Sequence, residues 1–131
     1  MRAVRERLAW RGMLRGVKAS VHRGGLWAIV LAFPLAAICA LLYRFPAPMA
    51  GYSYSRGLSA MPLTIIAVIF YGLLGGFVVL YVVGGLGGAA AHAIGRPDER
   101  LVHRLALAFG GLTALISVVF MAVLDKIIGP Y

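Results

Sequence analysis

Three histidines, one cysteine and four acids carry most of the chemical repertoire of this chain. Two of the histidines are suggestively placed. His92 continues the line of Gly84 and Gly88, each four residues from the next. A small residue one helical turn before a histidine leaves room for a flat macrocycle against the helix, with the imidazole as axial ligand. His103 lies across the following turn, so two antiparallel helices would bring both rings to similar depth. His92 and His103 are therefore candidate ligands for a haem or a chlorin. The plainer alternative is a pair of imidazoles near lipid headgroups, where a polar ring costs little. A non-haem metal site is not expected, because no carboxylate or thiol is spaced to complete one.

The remaining groups point away from catalysis. Glu6, Asp98, Glu99 and Asp125 are scattered and form no acid/base pair. Ser53, Ser55 and Ser59 share a loop that holds no histidine to activate them. The glycine-rich stretch lacks the Gly-Lys-Ser/Thr ending of a phosphate loop. Cys39 has no partner for an intrachain disulfide and reads as a small core hydrophobe. The chain is not expected to be an enzyme, and no small-molecule substrate suggests itself.

The elements that hold these residues follow from composition. Hydrophobic residues make up 62% of the 131 positions and charged residues only 13%. A soluble domain is about 45–50% apolar and about a quarter charged. The excess apolar surface needs lipid or a large partner to cover it. The length allows one unit, so residues 1–131 are expected to form a single membrane domain. All-α architecture follows, with three transmembrane helices at about 25–43, 62–83 and 105–124.

Each span has its own marks. The first covers ~30 Å of hydrocarbon with about the ~20 residues required. Trp27 and Tyr43 sit at its ends as interfacial aromatics, and Pro34 at mid-span predicts a kink. The loop after it, 44–61, contains Pro46, Pro48, Tyr52 and Tyr54 and is too short for a folded domain. The second stretch is unusual. No residue from Pro62 to Gly95 is charged, and as a straight helix it would be ~51 Å long. A span over 62–83 is expected, with the remainder bending or unwinding at Gly84–Gly88, or strongly tilted. Gly95-Arg96-Pro97-Asp98-Glu99 then reads as a helix end, a turn and a new helix start. No span carries an ionisable residue at its middle, which argues against a stand-alone pump, exchanger or proton-coupled carrier. The span hydroxyls of Thr64, Thr113 and Ser117 are expected to bond to their own helix backbones.

The basic residues set the orientation. Arg2, Arg5, Arg7, Arg11, Arg15, Lys18 and Arg23 precede the first span, and Arg96, Arg100 and Arg104 lie between the second and third. Arg44, Arg56 and Lys126 remain for the opposite side. Such a bias in short loops is the positive-inside pattern. It predicts a bacterial inner-membrane protein with its N-terminus in the cytoplasm and its C-terminus in the periplasm or outside the cell. The net charge of +9 does not imply nucleic acid, because the charges flank spans instead of covering a folded face. It suits anionic lipid headgroups, where each Lys or Arg contributes about 1 kcal/mol.

Residues 1–23 carry a second pattern. Trp10, Met13, Leu14, Val17 and Val21 share one side of a helix, and Arg7, Arg11, Arg15, Lys18 and His22 line another. An apolar face beside a basic face predicts an amphipathic helix lying in the membrane interface, ahead of a three-helix unit over 24–131. Gly12 and Gly16 weaken it by nearly ~1 kcal/mol each.

Small residues at helical spacing are the strongest signal for packing. Gly72 and Gly76 form one pair and Gly84 and Gly88 another, while Ala106, Gly110, Ala114 and Ser117 line the third span. Stripes of this kind let helix backbones approach closely in lipid. They serve either the chain's own three helices or a larger membrane partner. The architecture is shared by small accessory subunits of respiratory, photosynthetic and transport complexes and by some phage holins. The expected function is an accessory or assembly subunit of a larger membrane complex, docking through these faces and the basic helix. A self-associating, holin-like permeabilising protein and a haem- or chlorin-binding anchor are the alternatives.

Overall fold

The computed structural model describes residues 2–47, 57–96 and 98–128. Among the described residues there are four helices: α1 (Arg2–Leu42), α2 (Ala60–Tyr71), α3 (Phe77–Gly95) and α4 (Glu99–Ile128). A π-turn, Gly72–Gly76, joins α2 to α3. The described residues contain no strand. Three segments of the described residues are long and apolar enough to cross a membrane: Trp10–Leu42, Ala60–Gly95 and Glu99–Ile128. Pro48, Tyr52, Ser53, Tyr54, Ser55 and Arg56 of the long loop lie outside the described residues, as does Pro97 of the short turn.

The buried side of α1, α3 and α4 is a row of mostly small residues three or four apart. On α1 the row is Ser20, Gly24, Ala28, Ala32, Ala36 and Ala40. On α4 it is Val102, Ala106, Gly110, Ala114, Val118 and Ala122. α3 contributes Leu80, Gly84, Gly88, Ala91 and Gly95. With so little side-chain bulk between them the helices meet almost backbone to backbone. The large residues point outward: Val30, Leu73, Val78, Leu86, Ile116 and Phe120 are all more than half exposed. An apolar surface this extensive marks contact with a membrane or another protein, and it is compatible with a multi-pass membrane protein.

Two expectations need correcting. The basic segment is helical, but it is continuous with the first span and not a separate helix. α1 runs unbroken through Gly24 and Gly25 for 41 residues, ~61 Å. The reason is packing. A Cβ on Gly24 would overlap the Gly84 carbonyl and lie 2.8 Å from the Gly88 amide, so this glycine marks a helix contact and not a hinge. The second correction concerns the long apolar stretch. Gly84–Gly88 stay regularly helical, and the irregularity falls at Gly72–Gly76 instead. Gly75 there has φ 119° and ψ −11°, a conformation open to glycine and costly for other residues. Pro34 is exposed and lies inside α1, which continues past it.

The short turn forms as its residues predict. α3 ends at Gly95, whose carbonyl accepts the Asp98 amide at 2.8 Å. The Asp98 carboxylate accepts the Arg100 amide at 2.9 Å, capping the start of α4.

Candidate functional site

Of the groups singled out by sequence, His92, Gly84, Gly88 and Gly110 pack against α1 toward the end of the bundle where the basic residues lie. Here the N-terminal half of α1 is held between the last turns of α3 and the first turns of α4. The centre of this junction is the Gly24 carbonyl. A Cβ on Gly84 would sit 2.6 Å from it, and one on Gly110 3.0 Å from it. A Cβ on Gly88 would overlap the Ser20 carbonyl. Gly84, Gly88, Ala106, Gly110 and Ala114 are all buried, against the chain's own helices.

Gly72 and Gly76 do not extend that junction. The residues that would meet their Cβ atoms are Phe77 and Tyr71 of their own segment. The π-turn explains the difference, since one extra residue per turn shifts the helical register that aligned them in sequence.

His92 packs over Gly16, whose Cβ would lie 2.7 Å from the imidazole Cε1. Arg96 Nη2 donates to His92 Nε2 at 2.9 Å. In a neutral ring the proton then resides on Nδ1, which is 3.4 Å from the buried Ser20 hydroxyl. His103 makes a different contact, an edge-on arrangement with Trp27 at 6.4 Å between ring centroids. Trp27 is seven residues along α1 from Ser20, ~10 Å, so the two histidines face separate parts of α1. The space that Gly84 and Gly88 were expected to leave for a macrocycle is filled by α1 itself. Among the described residues no three His, Cys, Asp or Glu side chains cluster as metal ligands.

The third histidine also makes a short polar contact at this end. His22 Nδ1 and Tyr81 Oη are 2.8 Å apart, with the rings edge to face at 5.9 Å. The sequence pattern put His22 on a solvated basic stripe and gave Tyr81 no role. A tyrosine in the middle of an uncharged stretch is the signal that was available, because even a half-buried phenol in apolar surroundings usually finds a partner.

Arg7, Arg11, Arg15 and Lys18 are exposed, and so are Trp10 at 62% and Leu14 at 58%. Met13, Val17 and Val21 are half-buried, so the apolar face divides. One part leans on α3 and the other stays open beside the basic stripe.

At the opposite end, Arg44 and Asp125 form an ion pair between the end of α1 and α4. Arg44 Nε donates to the Asp125 carboxylate at 2.9 Å. Sequence placed the two residues at the same side of the bundle without pairing them, and that shared side was the clue. Thr64 and Thr113 donate to carbonyls four residues back, as expected.

No protein-family model, no curated protein and no solved structure matches this chain.

Proposed function

We propose that the chain is a small accessory or assembly subunit of a larger membrane complex, carried by three spans and docking through the exposed face of α1. The observation that supports this reading is that α1 runs on ahead of the expected span at about 25–43 with its basic residues uncovered. Arg7, Arg11, Arg15 and Lys18 stand beside exposed Trp10 and Leu14 on a helix braced by α3. Aromatic and arginine side chains together are typical anchors of a protein interface. The small-residue stripes carry less of this reading than their spacing suggested, because the chain's own helices already cover them.

In this proposal the basic end faces the cytoplasm of a bacterial cell, and anionic headgroups share the α1 face with an acidic surface on the partner complex. The holin-like alternative needs glycine faces free for self-association, whereas Gly84, Gly88 and Gly110 are occupied. Native-gel analysis of protein extracted in mild detergent tests the proposal. The expected result is a species well above the 14.0 kDa chain, reduced to a free subunit when Arg7, Arg11, Arg15 and Lys18 are all changed to Glu. Migration at the mass of one chain, with nothing co-purifying, overturns it.

A further inference from the structure

A cavity of about 430 Å³ opens beside the π-turn, between α3 and α4. Its floor includes Ala32, Leu80 and Val118, all nearly buried, and its rim includes Val79, Ile116 and Phe120, all more than half exposed. The cavity therefore opens sideways, onto the apolar flank of the bundle. Its origin is local. Gly72, Gly76 and Ser117 line it with almost no side-chain volume, and the left-handed Gly75 turns α2 away from the axis of α3.

We propose that this cavity holds one acyl chain of a membrane phospholipid, inserted laterally between α3 and α4. The proposal rests on the reading of the chain as membrane-spanning. Water is a poor occupant, because a buried water needs two to four polar partners and the lining offers only the Tyr71 and Ser117 hydroxyls besides backbone. An empty void of this size would forfeit the dispersion contacts of its whole lining. A second helix, ~10 Å across, matches a long face and not a recess confined to a few turns. Hydrocarbon chains are the surroundings of every apolar flank at this depth. At its outer end the apolar lining gives way to polar groups, as the depth of a lipid tail requires. Phe45 and Met121 line the cavity, and Arg44 and Asp125, next to the one and a turn beyond the other, form the ion pair.

Photolabelling tests this. The full chain is reconstituted in phosphatidylcholine vesicles containing a phospholipid with a diazirine in one acyl chain, irradiated, and its adducts mapped by mass spectrometry. Adducts are expected on the floor residues Leu80 and Val118 as well as on openly exposed Val30 and Val123. Ser117→Phe, which fills the cavity, should abolish the floor adducts and leave those at Val30 and Val123. Val79→Trp, at the exposed rim, should do the same without disturbing packed residues. Adducts confined to exposed positions, or floor adducts that persist in both variants, overturn the proposal while leaving membrane insertion intact. The absence of adducts anywhere overturns the membrane reading and this proposal with it.

Discussion

At the basic end, α1, α3 and α4 meet around Gly24 with backbone atoms at the limit of approach. At the loop end, the same bundle opens beside Gly72–Gly76 and is closed by Phe45 and an ion pair. Both ends are rich in glycine, and glycine does opposite things in them. In the junction it removes side chains so that regular helices can touch. In the π-turn it supplies a positive φ that ends regularity and leaves a cavity. Composition alone does not distinguish the two uses. The neighbours of each glycine do.

The largest expected effect comes from refilling the junction. Gly88→Leu places a branched side chain where even a Cβ overlaps the Ser20 carbonyl. Backbone cannot yield as a flexible side chain does, so α1 and α3 must separate. A loss of about 3 kcal/mol or more is expected, at or above the upper range for overpacked cores, read as a large drop in melting temperature in detergent. A stability unchanged from the native chain would mean that the helices do not meet at this glycine.

The loop end should respond to charge. Arg44→Gln removes a hydrogen-bonded ion pair whose side chains are 24% and 28% exposed. That degree of exposure allows water to screen the pair, so the loss should be about 1.5 kcal/mol, at the low end for hydrogen bonds to charged groups. The exchange Arg44→Asp with Asp125→Arg should recover part of it. If each single change and the exchange are additive, the two residues do not interact.

Gly75→Ala isolates the conformational cost at the π-turn. Nothing lies within 4 Å of the Cβ it would add, so the penalty is backbone strain alone, about 1 kcal/mol. The interesting readout is the cavity. A helix forced back toward regular φ at this position should narrow the recess and lower acyl-chain labelling of Leu80. Labelling at the native level, in a protein destabilised as expected, would separate the cavity from the π-turn.

Much of the fold was legible in the sequence because hydropathy and small-residue spacing are both one-dimensional. The three apolar segments, the Gly95–Glu99 turn and the backbone bonds of Thr64 and Thr113 all follow from local pattern. The joining of residues 2–23 to the first span was not legible. It depends on Ser20 and Gly24 meeting Gly84 and Gly88, some sixty residues away in the chain. The same contact hid the fate of the Gly84–Gly88–His92 line. A stripe that would seat a macrocycle and a stripe that seats another helix have the same spacing, and only the third dimension shows which neighbour arrives. The π-turn was misplaced for a related reason. Gly72 and Gly76 are aligned only if the helix between them stays regular, and Gly75 ensures that it does not.

The smallest expected effect compares two glycines one turn apart on α1. Helix propensity treats Gly12 and Gly16 alike, and replacing either by Ala should stabilise the helix by nearly ~1 kcal/mol. Their surroundings differ. Nothing lies within 4 Å of a Cβ on Gly12, whereas one on Gly16 meets the His92 ring at 2.7 Å. Gly12→Ala should therefore give the full gain, seen as slower amide hydrogen exchange over the first turns of α1. Gly16→Ala should push the imidazole aside, away from Arg96 and Ser20, and the lost contacts should offset the gain. His92→Ala removes the obstacle, so Gly16→Ala made in that background should recover the stabilisation seen at Gly12. Equal gains at both positions in the native background would mean that α1 stands clear of α3 at this level, and the basic helix would then be free to lie in the interface after all.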